Sequence, residues 1–419
     1  MLRLPDGQQP QDGPAVTRPA RARIVPAPDG PQRATFLELF FDLVFVFALT
    51  RIGTRAFEDL ALEPGGAQGW SPITGGGKTL LLLLALWAVW QSTAWTTSRY
   101  DPYNFWLQTI VILALAASMV MGVAVPRAFT VAGLSFAVAY VVAQMSRPLI
   151  LLFALGHGEE RQLKLRMLVV YGVTAVFWLG GTFLPSTPRV VLWTLALGIE
   201  YTAGRTGWPV PGLGRSTVSR WHLVGEHLAE RYQQFFLIAL GETILVTGLA
   251  YGSGPRNPAR AAAFGLALVT SVLLWRIYFQ RAGQILAEAV ARARQPAVIG
   301  RSAADTHLVM VIGVVGTAIG YELVIGYPLE HPEAAWIVLV LGGPLVFLAG
   351  RARFEYEVFG RVSPSRWVAM VALAVPLPVL VHHPPLIAAG TAAAILLAVA
   401  VVDARRARGR PPEAASPPF

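Results

Sequence analysis

The residues with chemical potential in this chain sit where they are expensive to keep. The stretch HLAERYQQFFLIALGETILVTG (227–248) is apolar enough for a bilayer, yet carries His227, Glu230 and Arg231 at its start and Glu242 deeper in. At about 100° per residue, His227, Arg231, Gln234 and Glu242 fall on one stripe of a helix. Ionisable groups inside a membrane cost several kcal/mol unless they pair or meet water, so such a stripe is a proton- or cation-handling candidate. Burial favours the neutral form of a carboxyl and a neighbouring guanidinium favours the ion. That balance lets a proton be taken up and released near neutral pH. The plainer alternative is an internal salt bridge, from Glu230 or Glu242 to Arg231 or Arg147, that fixes helix packing.

A second apolar stretch, FLELFFDLVFVFALT (36–50), carries Glu38 and Asp42 four residues apart on one helix face. Asp42 is expected to complete the site with Glu242. Glu38 also lies where a helix N-terminus favours an acid. Trp95, Trp275, Tyr278 and His307 are candidate substrate-lining residues, set against the ordinary uses of such side chains as interfacial aromatics and a satisfied core histidine. His222, Glu226 and Glu230 step by four beside His227, a helical spacing that metal ligation can use. They stand at a membrane boundary where polar residues are ordinary, HExxH is absent, and no metal or cofactor is assigned. Gly75-Gly76-Gly77-Lys78-Thr79 ends like a phosphate loop, but Pro72 stands where the leading glycine is needed.

The elements that must hold these groups are helices. The chain has 419 residues, 54% hydrophobic and 14% charged, against about 25% charged in soluble domains. Its mean hydropathy is +0.53. Apolar runs recur throughout, which predicts an all-α integral membrane protein. Twelve candidate spans begin near Phe36, Thr79, Phe105, Phe129, Leu163, Arg189, Glu226, Ala259, Ser302, Ala334, Trp367 and Pro384. Residues 1–33 and 404–419 read as disordered cytoplasmic tails around a transmembrane domain at 34–403. Basic residues cluster on the side of the N-terminus: Arg161, Lys164 and Arg166; Arg205, Arg215 and Arg220; Arg276 through Arg301; Arg351 through Arg366. The positive-inside rule then puts both termini in the cytoplasm. Tryptophan-bearing spans follow both the first and the seventh, so a parallel 6+6 repeat is permitted. Gly313, Gly316 and Gly320 share a face suited to close helix packing.

Several function classes drop out. With no cysteine, disulfides, thiolate metal sites and cysteine nucleophiles are excluded. The net charge of +10 is spread between apolar runs rather than gathered in one block, so it points to membrane-flanking loops and not to nucleic acid. The predicted loops are too short for a soluble catalytic domain.

ELFFDLVFVFAL (38–49) and HLAERYQQFFLIALGETIL (227–245) resemble the two signatures of the low temperature requirement protein A family, bacterial multi-pass membrane proteins named for a cold-growth phenotype. WQSTAWTTSRYD (90–101), Trp275 with Tyr278 and Phe279, and His307 add to the likeness, which spans 34–402. Gln280 departs from it, standing where relatives carry an acid. The resemblance implies a bacterial cytoplasmic-membrane protein and names no reaction. The leading expectation is a proton- or ion-coupled secondary transporter. Its partners would be membrane lipids, a proton or cation, and a small solute or lipid. An intramembrane enzyme acting on a lipid or isoprenoid, and a non-catalytic protein for envelope or cold tolerance, are the alternatives.

Overall fold

The structure is a computed structural model that describes residues 33–59, 71–155, 158–216, 225–280, 285–409 and 413–418. His222 and most of the expected N-terminal tail lie outside them. Thr35 and Glu38 start the first helix together. Glu38 N donates to Thr35 Oγ1 at 3.3 Å, and Thr35 N donates to Glu38 Oε2 at 2.9 Å. This reciprocal pair satisfies two amides that a helix end leaves open.

The helices are α1 (Phe36–Phe57), α2 (Ser71–Thr97), α3 (Phe105–Ala124), α4 (Gly133–Ala154), α5 (Glu159–Gly181), α6 (Ser186–Thr206) and α7 (Gly225–Gly252). Then come α8 (Pro258–Phe279), α9 (Leu286–Arg292), α10 (Pro296–Gly326), α11 (Ala334–Phe359), α12 (Pro364–Ala374), α13 (Leu377–Leu380) and α14 (Pro385–Ala407). Among the described residues, nine helices are long and apolar enough to cross a membrane. Helices α1 and α6 are not among them, because acids and arginines interrupt their apolar runs. The segment Pro364–Leu380 is also too short, and Pro376 and Pro378 break it into α12 and α13. The short α9 was not anticipated. Gly75 to Thr79 lie inside α2, so the phosphate-loop echo is helix.

The C-terminal residues differ from a free tail. α14 runs to Ala407, Ser416 N donates to Val358 O at 2.9 Å, and Arg361 pairs with Glu413 at 2.5 Å. This end is tied down by an ion pair, a backbone hydrogen bond and the burial of Ala415.

α10 is the most buried of the nine, with 78% of its apolar window inside the protein. A Cβ on Gly313 would lie 2.3 Å from Phe347 N of α11, and one on Gly343 2.5 Å from Thr317 N. Only glycine lets the two backbones approach this closely, the packing role expected for the glycine stripe.

The helices pair in a recurring order. α1 packs on α2 and α3, α3 on α4, α4 on α5, α5 on α6, and α2 on α6. In the second half α7 packs on α8 and α10, α10 on α11, α11 on α12, α12 on α14, and α8 on α14. The halves meet where α1 lies along α7. These two run parallel, since Glu38 meets His227, Asp42 meets Arg231 and Thr50 meets Glu242 in ascending order. α11 and α14 also run parallel. Leu386 N donates to Pro328 O at one end, and Arg366 reaches both Glu355 and Asp403 at the other.

Candidate functional site

The α7 stripe faces α1 and buries its charges there. Arg231 Nη1 and Nη2 donate to Asp42 Oδ2 and Oδ1, each at 2.8 Å, and Trp90 Nε1 of α2 donates to Asp42 Oδ1 at 2.8 Å. Arg231 is 0% and Asp42 1% exposed. His227 bonds Ser98 Oγ through Nδ1 at 2.8 Å and reaches Glu38 Oε2 through Nε2 at 3.3 Å. Arg231 Nε lies 3.7 Å from Glu38 Oε1. A buried ion pair is tolerated only with such bidentate geometry and further hydrogen bonds. Phe235, Trp87 and Trp90 wall it in, with ring centroids of Trp90 and Phe235 4.3 Å apart. Glu38, Asp42, His227 and Arg231, all singled out in the sequence, thus meet in one cluster. Its aspartate is fully engaged rather than free.

Glu242 is held differently. Thr50 Oγ1 donates to Oε2 at 2.6 Å, while Oε1 is buried with no hydrogen-bond partner among the described residues. Glu322 of α10 also has a buried oxygen, Oε2, with no hydrogen-bond partner among the described residues. Glu322 was not singled out from the sequence, although it is an acid within a long apolar run. Gly53 of α1 packs against Glu242, since a Cβ there would lie 3.7 Å from Oε1, an ordinary contact distance.

Other expected site residues fall elsewhere. Glu230 accepts from Ala34 N at 2.9 Å and Gln234 Nε2 at 3.2 Å, so it ties the chain entry to α7 outside the buried cluster. Trp275 is 47% exposed and points away from the site. His307 Nδ1 lies 2.6 Å from the carbonyl of Ala303, which requires it to donate, and Nε2 then accepts from Tyr278 Oη at 2.8 Å. Phe236 stacks on Tyr278 at 3.8 Å. That is a satisfied core histidine in an aromatic nest. No group of three or more metal-ligating side chains occurs among the described residues.

Trp95 leads to what the sequence reading missed. It lines a cavity of about 170 Å³ between α2, α4, α5 and α6, closed on one side by the start of α10. Arg147, Lys164 and Glu200 project into the same wall. Arg147 Nη1 donates to Ser92, and Nη2 donates to Gln144 Oε1 at 2.9 Å and Tyr171 Oη at 3.1 Å. Arg147 therefore does not reach Glu230 or Glu242, because α2 stands between them. Glu200 accepts from Tyr140 Oη and, at 3.2 Å, from Trp178 Nε1. Arg147 and Glu200 each interrupt an apolar run, and that was the available signal.

α2 is the shared wall. One face presents Trp90 and Ser98 to the α1–α7 cluster, and another presents Ser92, Trp95 and Arg99 to the cavity. Trp95 also donates to Tyr232 Oη of α7 at 2.9 Å.

The family described as bacterial low temperature requirement A protein (LtrA) matches residues 33–401. A Rhizobium meliloti (strain 1021) protein named "Uncharacterized protein RA0937" is 33% identical over 344 residues, covering 81% of each chain. No solved structure matches. With both signature helices seated side by side in a multi-span helical bundle, the chain belongs to the bacterial low temperature requirement A family.

Proposed function

We propose that this chain is a proton- or cation-coupled secondary transporter of the bacterial cytoplasmic membrane. Glu242 and Glu322 are the coupling carboxyls, and the cavity beside α2 is the solute site. The observation that carries the reading is the double role of α2. Its Trp90 bonds Asp42 in the α1–α7 cluster, and its Ser92 and Trp95 line the cavity two and five residues on. A shift of α2 on one side must therefore be felt on the other. Both Asp42 oxygens are engaged by Arg231 and Trp90, so it serves with Arg231, Glu38 and His227 as the clasp between halves. Glu242 and Glu322 each keep a buried oxygen without a hydrogen-bond partner, and taking up a proton relieves the cost of holding such a carboxylate charged.

The helix directions support twelve crossings with both termini in the cytoplasm. For α7 to run parallel to α1, α6 must cross as well as α2 to α5. For α14 to run parallel to α11, the broken α12–α13 segment must cross too. The recurring order of helix pairs supports a parallel 6+6 repeat, which puts Glu242 at the interface between the halves, the usual place for a coupling site. The Arg and Lys clusters then face the cytoplasm. The test is pH-jump proton flux in liposomes holding the purified protein, screened across solutes. Solute-dependent proton movement that disappears in Glu242→Gln is the expected result. Flux and pH dependence unchanged by that substitution would overturn the assignment.

A further inference from the structure

We infer that the cavity beside α2 binds a small organic anion, a carboxylate or phosphate head on an apolar or planar body. The inference rests on the reading of this cavity as the solute site, and it names the class of solute.

The wall carries two cations, Arg147 and Lys164, that no carboxylate bonds directly among the described residues. Arg147 is 2% exposed, and its three hydrogen-bond partners, Ser92, Gln144 and Tyr171, are all uncharged. Its Nε has no partner, and no carboxylate forms an ion pair with it among the described residues. Lys164 is 5% exposed and makes no hydrogen bond among the described residues; its Nζ lies 5.2 Å from the Tyr100 ring centroid. A buried cation without an anion is costly, and two on one cavity wall leave a place for negative charge. The acids nearby are turned to other partners. Glu160 is held by Arg99 and Tyr100, Glu200 accepts from Tyr140 and Trp178, and Asp305 is paired with Arg205 at 2.6 Å, so none of the three bonds Arg147 or Lys164.

Size and lining narrow the class. A cavity of about 150 Å³ holds a benzene-sized molecule, and this one is about 170 Å³. Trp95, Tyr201, Trp208 and Met167 supply apolar and planar surface in the lining. Oxyanions suit the pair, since Lys164 offers a mobile point charge and Arg147 a fixed one. Hydration rather than a ring face is what a bare inorganic ion asks for, so an organic body is favoured.

The probe is radiolabelled benzoate, bound at equilibrium to the full-length protein in phosphatidylcholine nanodiscs. Saturable binding is expected, displaced by unlabelled benzoate and not by benzamide or benzylamine. Lys164→Met, which breaks no hydrogen bond, and Arg147→Gln should each weaken it about tenfold, the loss of one hydrogen bond to a charged group. Size-exclusion elution and thermal unfolding matching wild type show that the variants are folded. Weaker benzoate binding in discs containing phosphatidylglycerol identifies a lipid headgroup as the natural anion, and unchanged binding identifies a water-soluble one. Absence of saturable binding, equal displacement by benzamide, or wild-type affinity in a folded Lys164→Met protein would overturn the inference. Binding without coupled flux would instead overturn transport and leave the anion site standing.

Discussion

Arg231 and Asp42 face each other across the α1–α7 boundary in a bidentate pair, both bonds 2.8 Å, with neither residue more than 1% exposed. The pair links residues 189 positions apart, and Trp90 brings a third helix to it. Removing one partner of such a pair strands the other charge. Asp42→Asn should cost about 3–5 kcal/mol, read as a lower unfolding temperature of the solubilised protein. Replacing both partners with apolar residues, Asp42→Leu with Arg231→Met, should recover much of that loss. A double variant as unstable as the single one would show that the cluster contributes more than charge pairing.

Glu242 should respond in the opposite way. Gln at this position can still accept from Thr50 through its amide oxygen, so stability should change by no more than about 1 kcal/mol. Thr50→Ala, which removes the donor and leaves the carboxylate wholly unpartnered, should be the more destabilising change. Thr50→Ser should behave as wild type. Unfolding of the three variants side by side checks the order.

The Tyr278–His307 bond predicts a structural effect without a functional one. Tyr278→Phe leaves His307 Nε2 as a buried acceptor without its donor, which costs about 1–3 kcal/mol. The cavity wall and Glu242 are untouched, so benzoate affinity and solute-driven proton flux per folded molecule should match wild type. Altered affinity would move this pair into the site.

The α10–α11 contact gives a graded test. Gly313→Ala places a methyl 2.3 Å from Phe347 N and should cost about 1–3 kcal/mol through overpacking. Gly265→Ala on α8 meets nothing within 4 Å, and in a helix it should be neutral or stabilising by up to about 1 kcal/mol. Parallel thermal scans of the two proteins settle the comparison.

The charged stripe on α7 and the Glu38–Asp42 face were readable because an ionisable residue in an apolar run announces itself, and a helical period fixes which residues share a face. Their division of labour was not readable. Which carboxyl is engaged depends on Trp90, which comes from a third helix and gives no periodic signal. The cavity was hidden for the same reason at greater range: Ser92, Arg147, Lys164 and Glu200 come from four helices, one side chain each. Trp275 shows the reverse error, an aromatic in a family-like motif that faces outward. The glycine face was legible because close backbone approach leaves so few alternatives. The fastening of 413–418 was not, since one ion pair and a buried alanine leave no compositional mark.

The parallel seating of α1 beside α7 also constrains biogenesis. α1 leaves the ribosome first, with Glu38 and Asp42 already in it, and the arginine that neutralises Asp42 follows 189 residues later. At about 5–20 residues per second, that is a wait of roughly ten to forty seconds. Through that interval the first helix holds two acids without their basic partners, and taking them out of water unpaired would cost several kcal/mol. Burial of these two acids is thereby tied to the arrival of the second half of the chain.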